Sequence, residues 1–161
     1  MNNTVKLIIS VVVPLAVGGL SGFATARGVA EWYPTLAKPS FNPPSWVFGP
    51  VWTVLYIMMG VAAFLVWRVG LDADGVKIAL AAFALQLALN GIWSILFFGM
   101  QAPGWALVEI ILLWIAIGVT AVLFWRISPL AGALLLPYWG WVSFAAVLNA
   151  SLWWLNRPPV G

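Results

Sequence analysis

The sequence predicts an all-α membrane protein, a single domain over residues 1–161 in which five transmembrane helices form a bundle. Apolar residues make up 64% of the chain and charged residues only 7%, whereas about 25% of a soluble domain is charged. A chain with so little polar surface fits lipid better than water. Five apolar segments of about 20 residues each are long enough to cross about 30 Å of hydrocarbon.

The five segments cover approximately residues 7–26, 47–67, 78–98, 105–125 and 130–154. Backbone groups in lipid must form their hydrogen bonds within the segment, so each segment is predicted to be a helix. The alternating pattern of a membrane β-barrel is absent. Lys6, the apolar run after it and Ala24-Thr25-Ala26 also fit a cleaved signal peptide, but we expect the first segment to be retained as a helix.

The loop between the first and second segments, from Arg27 to Trp46, is predicted to be structured. Proline fixes φ and stiffens a chain, and this loop also contains several aromatic side chains. We therefore expect a folded cap over the bundle; the alternative is an interfacial loop whose aromatic rings lie among lipid headgroups. The residues concerned are Pro34, Pro39, Pro43 and Pro44, with Trp32, Tyr33, Phe41 and Trp46.

The basic residues give a weak prediction of orientation. With five spans, Lys6, Arg68, Lys77 and Arg126 share one side of the membrane, and Arg27, Lys38 and Arg157 share the other. Four against three slightly favours a cytoplasmic N-terminus.

Polar and aromatic side chains form faces on three of the helices. On the third, Gln86 and Asn90 lie one turn apart, and Trp93 and Phe97 continue the same face. An unpaired amide in hydrocarbon costs several kcal/mol, so these faces should point into the bundle. Three such faces together favour a ligand pocket. The alternative is that the amide side chains only hold the helices together through hydrogen bonds. The other two faces consist of Trp52, Tyr56 and Met59 on the second helix, and Tyr138, Trp141, Ala145 and Asn149 or Leu152 on the fifth.

Three further features carry predictions about packing. Pro137 should kink the fifth helix and free a carbonyl near Ala133. Glu109 should lie near a helix start, stabilised by the helix dipole and headgroups, or else pair with Lys38 or Arg27. Small residues on the third helix permit close helix contacts, within one bundle or between two protomers; they are Ala81, Ala84, Ala88 and Gly91.

The residue types that are missing exclude several functions. The chain has no Cys and no His, which removes disulfides, thiol chemistry, histidine bases and the usual haem ligands. No acid–base pair, metal site or activated nucleophile supports conventional catalysis. The seven basic residues form no stripe, so we expect no binding to nucleic acid.

The run from Trp32 to Pro44 resembles the loop signature WY-x-x-L-x-KP-x-(W/F)-x-PP of the translocator protein family, also known as tryptophan-rich sensory proteins or peripheral-type benzodiazepine receptors. The segment from Trp46 to Tyr56 is similar to that family's second helix, and Gln86 to Asn90 to its third. Trp105 to Glu109 resembles its fourth helix, and Ser128 to Asn149 its fifth. The resemblance covers nearly the whole chain.

The resemblance implies a five-helix bundle with a pocket open toward the first loop. Members bind protoporphyrin IX, and several bind sterols, isoquinoline carboxamides or benzodiazepines; many are homodimers, here through the third helix. Trp52 and Trp141 match tryptophans implicated in light-dependent porphyrin breakdown. Mammalian members carry a sterol motif with a tyrosine just after the position of Asn149; this chain has no tyrosine there, so only weak binding of sterol or lipid is expected. By position the pocket would include Trp32, Tyr33, Trp52, Asn90, Trp93, Trp141 and Ala145.

Three functional hypotheses follow. The protein binds tetrapyrroles, with porphyrin as ligand and no required cofactor, as a sensor, regulator or transporter; Lys38 could then meet a propionate. Alternatively, it degrades porphyrin with light and oxygen, or it scaffolds partners and its pocket is incidental. We expect an integral multi-pass protein of a bacterial cell membrane, with a bacterial or mitochondrial outer membrane left open. The full set of candidate ligand-binding residues is Trp32, Tyr33, Lys38, Trp52, Tyr56, Gln86, Asn90, Trp93, Phe97, Tyr138, Trp141, Ala145 and Asn149.

Overall fold

The computed structural model describes residues 1–158, so the last three residues of the predicted domain lie outside the described part. Within it every regular element is helical, and five helical segments are long and apolar enough to cross a membrane. The predicted five-helix architecture is therefore confirmed. The helices are α1 (Asn3–Arg27), α2 (Phe48–Trp67), α3 (Val76–Ser94), α4 (Pro103–Ile127), α5 (Pro129–Leu134) and α6 (Leu136–Asn156).

The first span is longer than predicted and takes up part of the expected loop. After α1 the chain continues as a π-helical turn over Gly28–Trp32 and a 3₁₀ turn over Tyr33–Thr35. Between the first and second spans the chain is non-helical only from Leu36 to Pro44, after which the short 3₁₀ turn Ser45–Val47 leads into α2. The prediction of a loop beginning at Arg27 was wrong, because these two turns carry the helical path on to Thr35. Pro34 does not prevent this, since it stands in the first turn of the 3₁₀ segment, where proline is tolerated.

The remaining connections are short. Gly70 and Gly75 both have positive φ, +116° and +80°, in the link between α2 and α3. Glycine adopts this left-handed conformation without the steric cost that a Cβ would bring. At its other end α3 passes into a π-helical turn over Ile95–Gly99 before the link to α4.

The fifth span is broken in two, as Pro137 predicts. The ring of Pro137 removes the N–H that would bond to Ala133, and the last turn of α5 tightens so that the Leu135 N–H donates to the carbonyl oxygen of Gly132 at 3.1 Å. The two pieces α5 and α6 together span the bundle as one bent element.

Two glycines allow backbones to approach closely. A Cβ on Gly60 of α2 would meet the backbone of Ser10 and Val11 in α1, 2.5–2.6 Å away. A Cβ on Gly28 would collide with the carbonyl oxygen of Phe98. These contacts fix α1 against α2 at one end and against the turn after α3 at the other.

A fully buried part of the core lies toward the α2–α3 link. There Phe83 stacks on Phe124, with ring centroids 5.7 Å apart and an interplanar angle of 20°, and Val66 and Val76 are fully buried. Toward the first loop the helices separate and leave a cavity.

Candidate ligand-binding cavity

A cavity of about 880 Å³ opens between α1, α2, α3 and α6 beneath the first loop. Its wall is mostly apolar, and rings from three helices and the loop face it. Eleven of its aromatic and polar lining residues are Tyr33, Lys38, Phe48, Trp52, Tyr56, Trp93, Phe97, Phe98, Trp141, Phe144 and Asn149.

The aromatic rings of the wall hold one another at defined angles. Trp52 stacks on Tyr56, with centroids 5.6 Å apart and 29° between planes. Phe48 meets Trp141 edge to face at 6.0 Å, and Trp93 stacks on Phe97 at 5.3 Å. The quadrupoles of aromatic rings favour such arrangements, which stabilise the structure beyond the burial of the rings alone. The wall is therefore a fixed surface of ring faces and ring edges.

A chain of hydrogen bonds lies directly beneath the cavity. The Tyr56 hydroxyl donates to Asn90 Oδ1 at 2.6 Å, and Asn90 Nδ2 donates to the Tyr138 hydroxyl at 3.0 Å. That hydroxyl donates in turn to Gln86 Oε1 at 2.8 Å. Gln86, Asn90 and Tyr138 are almost completely buried. Burying their polar side-chain groups would cost free energy without these hydrogen-bond partners. The chain joins α2, α3 and α6.

A second amide joins three helices at the opposite end of the wall. Trp93 Nε1 donates to Asn149 Oδ1 at 3.0 Å, and Asn149 Nδ2 donates to the carbonyl oxygen of Pro103 at 2.8 Å. Both ends of the amide are therefore satisfied by protein. The contact links α6 to α3 and to the start of α4.

The first loop is held over the cavity by specific contacts. The Tyr33 hydroxyl donates to Asn42 Oδ1 at 2.8 Å, and the Lys38 ammonium lies 4.9 Å from the centroid of the Tyr33 ring. Asn156 clamps the loop to the end of α6: Ala37 N donates to its Oδ1 at 2.8 Å, and its Nδ2 donates to Ala37 O at 2.9 Å. The loop is thus a folded cap, as its prolines predict.

The cavity brings together nine of the thirteen predicted residues and leaves four outside its lining. Gln86, Asn90 and Tyr138 form the hydrogen-bonded layer below it. Trp32 lies behind the wall, where its ring meets Phe97 edge to face at 5.7 Å. The nine that line it are Tyr33, Lys38, Trp52, Tyr56, Trp93, Phe97, Trp141, Ala145 and Asn149.

Sequence reasoning missed the wall that α1 contributes. Leu15, Gly18, Gly19, Gly22 and Thr25 all line the cavity. The available signal was the cluster of small residues, because three glycines within five positions leave space beside a helix. Gly18 has a further role, since a Cβ there would collide with the ring of Tyr56.

Two buried polar groups have no hydrogen-bond partner among the described residues. One is the indole N–H of Trp141, whose residue lines the cavity; the other is the carboxyl group of Glu109.

The predicted pairing of Glu109 with Lys38 or Arg27 is wrong. Arg27 Nε bonds instead to Glu31 at 2.9 Å, and Lys38 Nζ donates to the carbonyl oxygens of Pro34 and Leu36. Glu109 is also only 7% exposed, so its carboxyl is enclosed by the protein.

The sequence between residues 10 and 155 matches the family model described as TspO/MBR. The chain belongs to the TspO/MBR family. It is an integral multi-pass membrane protein, since its five apolar helices and its relatives agree on this.

Relatives of the TspO/MBR family extend over almost the whole chain. The tryptophan-rich protein TspO of Archaeoglobus fulgidus is 46% identical over 155 residues, 96% of this chain and 99% of that protein. The protein of the same name from Chlorobaculum tepidum is 49% identical, covering 88% of this chain and 90% of its own. The translocator protein of Sus scrofa is 42% identical, covering 88% and 86% respectively.

Proposed function

We propose that this protein binds tetrapyrroles in the cavity beneath the first loop and acts as a sensor, regulator or transporter of them. Protoporphyrin IX is the candidate ligand. The proposal is carried by the cavity of about 880 Å³ walled by indole and phenyl rings, since pockets for compact organic ligands run from about 300 to 1,000 Å³ and are lined mainly by apolar and aromatic groups.

The chemistry of the wall suits a flat aromatic macrocycle with acidic side chains. The indoles of Trp52 and Trp141 offer π-faces and edges for offset stacking. The Lys38 ammonium contacts neutral carbonyl groups and the Tyr33 ring and would form a charge-assisted hydrogen bond with a propionate. The unpartnered N–H of Trp141 needs an acceptor, which a ligand oxygen or pyrrole nitrogen can provide.

Isoquinoline carboxamides and benzodiazepines share this pattern of fused rings with a few acceptors, and we propose them as competitors for the same cavity. Sterols have one hydroxyl and no aromatic face, so we propose at most weak binding for them. Neither group of ligands is needed for the fold, because the protein's own side chains satisfy the polar layer beneath the cavity.

The test is a titration of the purified protein with protoporphyrin IX, followed by the shift of the porphyrin Soret absorbance. We expect one site per protomer with a micromolar dissociation constant, about −8 kcal/mol. Trp141→Ala should weaken binding by about 1–3 kcal/mol through lost stacking area. Trp105→Ala is the matched control, since Trp105 is exposed on α4 and outside the lining. Equal affinities of the folded Trp141→Ala variant and the parent would contradict the proposed site.

A second candidate function is light-driven porphyrin breakdown. It is favoured by Trp52 and Trp141, which both line the cavity and would lie beside a bound ring. An excited porphyrin can accept one electron from an electron-rich indole, with molecular oxygen as the final oxidant. Trp52 stacks on Tyr56, whose hydroxyl is hydrogen-bonded to Asn90, so the oxidised indole would have a second oxidisable ring in contact.

This function predicts breakdown in light and oxygen and none in the dark. Porphyrin absorbance should be followed under illumination, with dark and oxygen-free controls, for the parent and for Trp52→Phe and Trp141→Phe. Phenylalanine keeps most of the packing volume but is harder to oxidise, so binding should persist while breakdown slows. Breakdown at the parent rate in both variants would leave the protein as a passive host.

A further inference from the structure

A second, open groove lies on the outer surface where the first loop meets the end of α6. Lys38 and Pro39 form its loop side, and Ala150, Ser151, Trp154 and Leu155 form its helix side. Trp154 is 59% exposed and Leu155 is 48% exposed. In a membrane-spanning helix these side chains face lipid, and a tryptophan at a helix end is typical of the headgroup level. The groove is therefore placed where a lipid's acyl chain and headgroup meet.

The groove is rigidly built. The paired hydrogen bonds between Asn156 and the backbone of Ala37, 2.8 and 2.9 Å long, hold the residue before Lys38 against α6. Pro39 restricts the backbone just after it. The two sides of the groove are consequently fixed with respect to each other, so binding a ligand costs little conformational entropy for ordering them.

One cation, Lys38, lines the groove, and a second, Arg157, stacks on the lining residue Trp154; within the described residues neither meets an acid. The Arg157 guanidinium carbon lies 3.3 Å from the centroid of the exposed Trp154 ring, and Lys38 lies on the opposite side. Within residues 1–158 the one ion pair is Arg27 with Glu31. Neither charge is neutralised by an acid, so each still attracts an anion; Lys38 also donates to the carbonyl oxygens of Pro34 and Leu36 and lines the large cavity as well. Arg157 is outside the lining of the large cavity, which makes its charge separable from porphyrin binding.

We infer that this groove binds one anionic phospholipid, with its phosphate between Lys38 and Arg157 and an acyl chain along Ala150, Trp154 and Leu155. Anionic lipid fits better than a sterol, because a sterol would leave both charges without a partner. It fits better than a free phosphate, because the floor of the groove is apolar. Arginine and lysine are each suited to phosphate, the former through its planar fork and the latter as a point charge.

The test is native mass spectrometry of the detergent-solubilised protein, titrated with phosphatidylglycerol and phosphatidylcholine that carry the same acyl chains. We expect one phosphatidylglycerol to be retained in preference to phosphatidylcholine. Arg157→Gln should weaken its retention about fivefold, the effect of about one basic residue at a lipid surface, and Lys38→Gln should act in the same direction. Arg157→Lys keeps the charge and should retain most of the preference.

Arg126→Gln is the matched control, because Arg126 ends α4 on the opposite side of the membrane. An equal loss in that variant would show that net charge alone attracts the lipid and would overturn the inference. So would equal retention of the two lipids, unchanged retention in Arg157→Gln, or displacement of phosphatidylglycerol by inorganic phosphate alone. Protoporphyrin IX affinity should be unchanged in Arg157→Gln, so failure of the lipid site and failure of the porphyrin site are distinguishable.

Discussion

At the scale of single residues, the hydroxyl group of Tyr138 holds the buried polar layer together. It accepts from Asn90 and donates to Gln86, and its side chain has no exposed surface. The sequence showed that Gln86 and Asn90 must find partners inside the bundle. It did not show which partners, because the rotation of each helix about its axis depends on packing across helices that are distant in the chain.

Tyr138→Phe should therefore destabilise the protein. The substitution keeps the ring but leaves Asn90 Nδ2 and Gln86 Oε1 without a partner, and unsatisfied buried groups cost about 1–3 kcal/mol. The free energy of unfolding in mixed micelles measures the loss. Tyr33→Phe is the control, since it removes a similar hydroxyl whose single partner, Asn42, is only half-buried. Equal losses in the two variants would contradict a special role for the buried layer.

At the scale of elements, the first loop differs most from its prediction. The prolines and aromatic residues correctly indicated a folded cap, but the boundary was wrong because π-helical and 3₁₀ turns extend α1 to Thr35. No periodicity in a five-residue turn reveals such an extension. The clamp by Asn156 on Ala37 could not be predicted either, since the two residues are 119 positions apart.

The cap should close more firmly when the cavity is filled. Tyr33, Pro34 and Lys38 line the cavity from above, so a ligand that contacts them lowers the free energy of the closed loop. Chymotrypsin cleavage after Phe41, which is 46% exposed, should fall when protoporphyrin IX is saturating. Cleavage after Leu71, in the link between α2 and α3, serves as the internal control and should not change. If cleavage at Phe41 is the same with and without ligand, the cap does not act as a lid.

At the scale of the whole molecule, the number and order of the membrane spans could be predicted from hydropathy alone, because hydrocarbon thickness and backbone hydrogen bonding leave few alternatives. The cavity could be predicted only in part. Three of its walls carry tryptophan, tyrosine or amide side chains that stand out in apolar segments. The fourth wall, α1, contributes mainly glycine and alanine, whose small side chains leave room for a ligand. Small residues are common in membrane helices, so they indicate such a wall only weakly.

The surface of α3 leads to a prediction about assembly. Ala81, Ala84 and Ala88 are exposed, whereas Gly91 is buried, and a Cβ there would lie only 3.3 Å from the side chains of Ser21 and Val17 of the same chain. We expect a homodimer in which the exposed alanines of two protomers meet. Because the chain has no cysteine, Ala84→Cys provides a single thiol that should form an intermolecular disulfide in membranes under mild oxidation. Val119→Cys on the exposed face of α4 is the control, and equal cross-linking of both would indicate random collision.

The separation of α4 from the cavity has a practical consequence for building a reporter. Among the described residues, none of those that line the cavity belongs to α4, and Leu112 on its outer face is 54% exposed. A fluorescent dye attached through Leu112→Cys would be the only thiol conjugate on the molecule. It would sit across the helix from the porphyrin, close enough for energy transfer but outside the ligand's path. Occupancy of the cavity could then be read in intact membranes from a label that leaves every lining side chain in place.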